Sequence, residues 1–521
     1  MLAQIHDVFP WNGGLYTYHL YIPDYYTPLF AMKGIVLLQD HAREEEEVLP
    51  WLAKMHEEEC ILLRIDPPEA GWRAEDAEAV NMLVGWQITW NKGGYAILGA
   101  YKYFISEGAS GIAAAPILTE NANMYAAAAL WNAGAAVDGE ALNIPILTQN
   151  EGFPFSLDEC WAFLSGYRRV PITPTYGQVL PVRDMSHVIR RREIINGVLR
   201  TFYIAEPFDI GDEPLPVVFG LHGVTSNGLK YMEQTELDVL ADKYRFLAVT
   251  PTGYLNRWNA SHSPDFPDDA AFFDEVIGLL SEDYPIDRSR IYLLGFSMGS
   301  AMSERALLDR PFTYAAAASF SGHIIEPGET LTMLRQPESR GQEIYDSTRS
   351  DIPLRLVQIY GECEPPTAFP GKIGKATEFW KKVYGCEDKD PGEIFPIDDR
   401  LVAKEYKGVF GSFISILEKG LTHTYYTDLC EWVWKNVFSK CTRPENSIAS
   451  AAAKDGTLSW TLDGAEPDLI VVTTEDGCPA PLRIAGEERS AGLPEAFFGK
   501  KLLMIPVYGG NAASAPVIVQ G

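Results

Sequence analysis

Between residues 187 and 440, short apolar runs alternate with stretches whose apolar residues recur at helical spacing, and no other feature of the chain constrains its fold as tightly. Val217-Val218-Phe219-Gly220-Leu221, Phe246-Leu247-Ala248-Val249, Ile291-Tyr292-Leu293-Leu294, Tyr314 to Phe320 and Leu354 to Ile359 read as strands buried on both faces. Such strands lack in-and-out alternation because helices cover both sides of the sheet. Thr235 to Tyr244, Asp269 to Leu280 and Ser300 to Leu308 carry the complementary helical pattern between them. The expectation is an α/β fold with a doubly wound, mostly parallel sheet. Ahead of it, Val188 to Ile194 and Leu199 to Ile204 form a predicted hairpin about Asn196-Gly197, a pair that accepts the positive φ values of a tight turn.

Residues 1–168 repeat this order of elements in weakened form. Tyr18 to Pro23 parallels Phe202 to Pro207, and Gly34 to His41 parallels Val217 to Gly223. Further on, Tyr95-Ala96-Ile97-Leu98-Gly99 parallels Tyr292-Leu293-Leu294-Gly295, and Ile144 to Gln149 matches Ile352 to Gln358 in kind. The reading is a duplicated fold at 1–168, a Pro-containing linker at 169–186, a complete copy at 187–440, and a small β-rich module at 455–521. The Ala-rich segment Ile448 to Lys454 is the expected hinge before that module.

The size prior for 521 residues is roughly three domains, which agrees with this division. A formal charge of −28 opposes nucleic acid and anionic membrane surfaces as partners. The runs Glu44-Glu45-Glu46-Glu47 and Glu57-Glu58-Glu59 are read as solvated helix faces. No apolar stretch approaches the roughly 18 residues that cross a bilayer, and no export signal is visible at the start, so the chain as given is expected to be cytoplasmic, with secretion the alternative. Seven cysteines without CxxC spacing point to buried thiols rather than a metal site, although Cys430 and Cys441 are a conceivable pair in a secreted protein.

Gly295-Phe296-Ser297-Met298-Gly299 follows the strand Ile291 to Leu294 and precedes the helical run from Ser300. A serine on a sharp strand-to-helix turn projects its hydroxyl, and flanking glycines remove the Cβ atoms that would collide there. Ser297 is therefore the candidate nucleophile. The helix N-terminus behind it offers unpaired N–H groups to developing negative charge. Met298 supplies one candidate oxyanion donor and Val224, after Leu221-His222-Gly223, the other. In the first copy, Gly99 is followed by Ala100-Tyr101, with no serine, and no histidine occurs between 57 and 186, so that copy is expected to be inactive.

Of nine histidines only His323 and His423 follow Ser297. The chain order nucleophile, acid, base selects His423, in Gly420-Leu421-Thr422-His423, as the base, and His323 as a pocket or loop residue. Glu362 and Glu364, after the strand Leu354 to Ile359, are the acid candidates, with Glu326 a distant third. His222, Tyr254, Trp258 and His323 are candidate pocket residues, His222 preceding the nucleophile where its ring is expected to brace the loop rather than act as base, and Arg257 and Asn259 share the loop of Tyr254 and Trp258. For Trp258, stacking against an aryl or sugar ring and simple packing stand as equal alternatives. No metal or organic cofactor is called for.

Taken together, Leu221-His222-Gly223, Asp268 to Phe273, Ile286 to Tyr292, Gly295 to Gly299 and Gly420 to His423 resemble the poly(3-hydroxybutyrate) depolymerase, feruloyl esterase and acetylxylan esterase group of the α/β-hydrolase superfamily. The resemblance covers the middle domain. It implies an α/β-hydrolase fold and a serine esterase acting through an acyl-enzyme on feruloyl, acetyl or other short acyl esters, free or polymer-attached. The family's Gly-x-x-Asp maps Glu364 onto the acid position, with Glu in place of Asp. Alternatives are a peptidase with the same triad and a non-catalytic binding or scaffold protein. A homo-oligomer through the first domain is a further expectation.

Overall fold

The computed structural model describes residues 2–521 apart from 25–31, 86, 88–96, 135–136, 150–155, 171–177, 225, 323–351, 363, 365–370, 385, 387–392, 397–400, 409–410, 421–426 and 479. Two compact units emerge, one of residues 1–185 with 225–230, the other of 186–224 with 231–521. Among the described residues no helix is long and apolar enough to cross a membrane.

The first unit contains β1 (Leu2–Trp11), β2 (Gly14–Pro23), β3 (Met32–Leu38), α1 (Glu45–Glu57), β4 (Cys60–Ile65), α2 (Asp76–Val84), β5 (Ile97–Glu107), α3 (Gly111–Asn121), β6 (Ala127–Trp131), β7 (Ile146–Gln149), α4 (Leu157–Leu164), β8 (Tyr167–Val170) and β9 (Gln178–Pro181). Its main sheet has the order β1-β2-β4-β3-β5-β6-β7. β4 and β6 are buried throughout and β3 at every residue but Lys33, because separate clusters pack on the two faces of the sheet; Arg64 is the one charged residue buried among them. Glu44 and Glu47 form a capping box that opens α1, and Glu46 and Glu47 stay exposed. The interval 169–186 is not uniformly a linker: β8 and β9 pair antiparallel.

The second unit begins with β10 (Ile189–Ile195), β11 (Val198–Ala205), β12 (Leu215–Leu221), α5 (Gly228–Thr235, of which residues 228–230 count with the first unit), α6 (Leu237–Tyr244), β13 (Leu247–Thr252), α7 (Asp269–Asp283), β14 (Ile286–Phe296), α8 (Met298–Asp309), β15 (Ala316–Phe320) and β16 (Leu356–Gly361). It continues with α9 (Gly371–Val383), β17 (Glu393–Pro396), β18 (Leu401–Gly408), β19 (Gly411–Glu418) and α10 (Thr427–Asn436). Asn196 and Gly197 both take positive φ, which closes the β10–β11 hairpin as its sequence predicts. The helix foreseen from Thr235 breaks at Glu236, which is left-handed, so α5 and α6 are separate. α7 starts where Asp268 accepts the Ala271 N–H.

The sheet of the second unit has the order β10-β11-β13-β12-β14-β15-β16-β19-β18-β17. Counted from the start of each unit, its first seven strands follow the same order as the first sheet. The two outer pairings are antiparallel and the next four parallel in both. The registers then equate residues. Leu38 lies opposite Ser106 and Glu107 opposite Trp131, as Leu221 lies opposite Gly295 and Phe296 opposite Phe320. β5 runs unbroken past Gly99 and Tyr101 to Glu107, so the sequence match of Gly99 with Gly295 is out of register. Gly108, not Tyr101, follows the strand as Ser297 does.

After α10 come β20 (Ile448–Lys454), β21 (Thr457–Leu462), β22 (Leu469–Thr474), β23 (Leu482–Ala485), β24 (Ser490–Gly492), β25 (Lys501–Tyr508), β26 (Asn511–Ala512) and β27 (Val517–Gln520). The expected hinge Ile448 to Lys454 is itself a strand, paired with β21. β22 and β25 are apolar on both faces. Ile470, Val472, Leu502 and Met504 join Trp460 in one core, while Val471, Leu503, Ile505 and Val507 pack with Ile352 and Phe312. That second contact makes the β-strands part of the same compact unit as the α/β sheet. Cys430 and Cys441 are not bridged to each other, and Cys60, Cys160 and Cys441 are buried thiols.

Candidate active site

Ser297 stands between the end of β14 and the start of α8 with φ +55° and ψ −116°. Holding an L-residue there costs on the order of 1–3 kcal/mol, and surrounding structure has to impose it. The Ser297 N–H donates to the Phe320 carbonyl at 2.8 Å, and the Ser300 hydroxyl donates to the Phe320 and Gly295 carbonyls at 2.7 and 2.9 Å. The glycines on either side are sterically required. A Cβ on Gly295 would lie 2.2 Å from the Gly299 oxygen, and one on Gly299 would lie 2.0 Å from the Leu221 oxygen. Close packing of β12, β14 and α8 thus forces both glycines and leaves the serine, itself partly buried, at the corner.

The loop after β12 runs beside this corner. A Cβ on Gly223 would lie 3.0 Å from Phe296 Cδ1 and 3.4 Å from Ser297 Cβ. Val224, next in the chain, is partly buried, and Met298 forms the first residue of α8, where N–H groups have no partner within the helix. Both candidate oxyanion residues therefore sit in segments adjoining Ser297.

His222 is fully buried and is a brace, not a pocket wall. Its Nδ1 lies 2.7 Å from the Gly223 oxygen, while its Nε2 accepts the Gly253 N–H at 3.0 Å. An acceptor at Nε2 fixes the neutral tautomer with the proton on Nδ1. Burial pushes its pKa down to about 4. Trp258 is likewise 0 % exposed, and its indole N–H donates to the His222 carbonyl at 2.7 Å. It packs edge-to-face on Phe273, so of its two readings the structure takes packing; a fully buried ring has no face to offer a substrate. Asn259 is also an organiser, donating to the Ser263, Phe266 and Pro267 carbonyls. Its own N–H donates to Asp269, which pairs with Arg200 at 2.9 Å. Burial raises the Asp269 pKa and Arg200 opposes that rise. Tyr254 remains partly exposed, with its ring 6.3 Å from that of Phe266.

The acid candidates separate by burial. Glu364 is 5 % exposed, just past the C-terminal end of β16. Glu362 is exposed and its carboxylate accepts the Gly420 N–H at 3.1 Å. Gly361 lies opposite Glu418, so β16 and β19 end side by side on the edge where β14 delivers Ser297. His423, His323 and Glu326 lie outside the described residues. Among the described residues no group of three or more His, Cys, Asp or Glu side chains is arranged to hold a metal ion. Sequence reasoning missed the bracing roles of Arg200, Asp269 and Asn259, because their partners are distant in the chain.

No family model matches the chain. Acetylxylan esterase A of Emericella nidulans is 22% identical over 274 residues, covering 48% of this chain and 86% of that protein. Feruloyl esterase B of Neurospora crassa is 24% identical, covering 36% of this chain and 70% of its own. A bifunctional acetylxylan esterase/xylanase of Neocallimastix patriciarum is 27% identical over 128 residues, and there the match spans 24% of this chain and 18% of the relative. Among solved structures, an acetyl xylan esterase from Aspergillus awamori gives a TM-score of 0.40 at 16% identity, over 48% of this chain and 99% of that one. The named relatives are esterases, one of them joined to a xylanase, and all three match this chain at under 30% identity.

Proposed function

We propose that this chain, an α/β-hydrolase homologous to esterases, cleaves short-acyl or hydroxycinnamoyl esters through an acyl-enzyme on Ser297. The observation that carries the reading is the backbone of Ser297, held at φ +55° between β14 and α8 with the Gly223 loop alongside. In the proposed cycle His423 takes the Ser297 proton and the oxygen attacks the ester carbonyl. The Val224 and Met298 N–H groups stabilise the oxyanion until the alcohol leaves with a proton from His423. Water, deprotonated by the same histidine, then releases the acid. Glu364, buried beside the end of β16, orients the imidazole and stabilises its cationic form. The preference for acetyl or feruloyl groups on a plant polymer is suggested by the names of the relatives.

The first unit is proposed to be a degenerate, non-catalytic copy of the same fold. Recurrent bracing supports this. The Trp72 indole donates to the Gln39 carbonyl as Trp258 does to that of His222. Asp76 accepts the Arg73 N–H as Asp269 accepts that of Asn259. Arg169 donates to the Tyr125 and Asn143 carbonyls as Arg443 does to those of Tyr314 and Pro353. The arginines follow α4 and α10. Residues 150–156 separate β7 from α4, whereas residues 362–426 separate β16 from α10 and include both acid candidates and His423. The first unit has no room for the arm that carries acid and base.

Turnover of p-nitrophenyl acyl esters of increasing chain length and of methyl hydroxycinnamates, by wild type and Ser297→Ala, tests the reading. The expected result is turnover and fluorophosphonate labelling by wild type and neither by the variant. Equal activity of the two proteins would refute it, and cleavage of aminoacyl anilides but not esters would favour a peptidase.

A further inference from the structure

We propose that Glu362 is a positioning residue that fixes the base-bearing loop against the acid-bearing loop; this rests on the triad reading above. Two hydrogen bonds join Glu362 to the chain where it leaves β19, one to the last strand residue and one to Gly420. The Glu362 N–H donates to the Glu418 carbonyl at 2.9 Å, extending the β16–β19 ladder one step past Gly361 and Glu418. The Glu362 carboxylate then accepts the Gly420 N–H at 3.1 Å. Gly420 has φ +71° and nothing within 4 Å of its Cβ position, so glycine is needed there for backbone conformation and not for space.

Gly420 is the residue at which the chain leaves β19, three positions before His423. A turn with a left-handed glycine and an exposed N–H has several accessible exits, and a charge-assisted acceptor on that N–H selects one. The same side chain belongs to the segment that, two residues later, buries Glu364, whose N–H lies 3.4 Å from the Gly361 oxygen. The strap therefore ties Gly420, three positions before His423, to the segment that carries Glu364. Its exposure and its engagement with a main-chain N–H distinguish Glu362 from a triad acid, which is buried against imidazole. A misplacement of about 1 Å in such a constellation costs up to about 100-fold in rate.

The test compares Glu362→Ala, Glu362→Gln and Glu364→Ala in the full chain by kcat, KM and thermal melting, with Ser297→Ala as the reference. Glu362→Ala is expected to lose about tenfold in kcat with KM within about twofold and an unchanged melting temperature. Glu362→Gln, which keeps a side-chain oxygen for the Gly420 N–H, is expected to recover most of that loss. Glu364→Ala is expected to fall much further. Wild-type kcat in Glu362→Ala, or equal losses in the alanine and glutamine variants, would overturn the proposal. So would a fall of Glu362→Ala to the level of Glu364→Ala. Full activity in Ser297→Ala would instead remove the triad reading itself.

Discussion

Gly108 and Ser297 hold corresponding stations in the two sheets, each directly after the strand that pairs with the third strand of its unit, with φ +53° and +55°. Their surroundings differ. A Cβ on Gly108 would lie 2.5 Å from Asp40 Oδ2, whereas the residue facing Ser297 is Gly223. On the proposed reading of the first unit as a degenerate copy, the Asp40 carboxylate from the loop after β3 takes the space that a side chain at position 108 would need. Introducing Gly108→Ser into Ser297→Ala is expected to restore neither turnover nor fluorophosphonate labelling, and overpacking is expected to destabilise the protein by about 1–3 kcal/mol. Labelling at position 108 in that double variant would contradict this account.

Two glycines in helices of the second unit make opposite predictions. Gly299→Ala drives a Cβ to 2.0 Å from the Leu221 oxygen, main chain against main chain, and should cost most of kcat/KM together with stability. Gly278 lies inside α7 with nothing within 4 Å of its Cβ position. Gly278→Ala should therefore gain roughly 0.5–1 kcal/mol from helix propensity alone and leave kcat unchanged. Thermal melts and ester turnover of the two variants check both signs.

His222 predicts a pH dependence of stability. Its folded pKa of about 4 lies below the ordinary value of 6.5 because burial disfavours the cation. Between those values the unfolded chain binds a proton that the folded chain does not, so this group's contribution is present above pH 6.5 and is lost as pH falls toward 4. The full effect is about 3 kcal/mol. His222→Gln should be less stable than wild type at pH 7, and the gap should narrow on acidification. Urea unfolding at a series of pH values measures it, and a gap that widens toward pH 4 would contradict the assignment.

Much of this was legible in the chain because strand and helix signals are local. The central strands and the β10–β11 turn follow from apolar runs and from Asn196-Gly197, and Ser297 follows from its flanking glycines. What failed was register. The string Tyr95 to Gly99 ends on a glycine as Tyr292 to Gly295 does, but the segment at the same station of the first sheet is Tyr103 to Ser106, and only the pairing of β5 with β3 reveals the shift. Trp258 and Asn259 were ambiguous for a related reason: a tryptophan on a loop reads as a platform until its N–H is found on His222. The strand Ile448 to Lys454 hid in an alanine run whose partner, β21, supplies the larger side chains.

The same register equates Lys102, opposite Gly34, with Ile291, opposite Val217. The first sheet therefore has a buried lysine at the register position where the second has Ile291. Lys102 is 4 % exposed, its ammonium lies 5.6 Å from the centre of the Tyr125 ring, and burial pushes its pKa down to about 8. An unfolded lysine keeps its ordinary value of 10.5, so below pH 8 the folded chain carries a buried charge at a cost of about 3 kcal/mol. Between pH 8 and 10.5 the folded form gives up that proton first, and the penalty disappears as pH rises through this window. Lys102→Ile should accordingly raise the unfolding free energy of the full chain at pH 7, read from urea titration, by up to about 3 kcal/mol less any packing mismatch, with the gain fading by pH 10.5. A gain of equal size at both pH values would assign the effect to packing, and a loss at pH 7 would mean that the ammonium is held by interactions stronger than its desolvation.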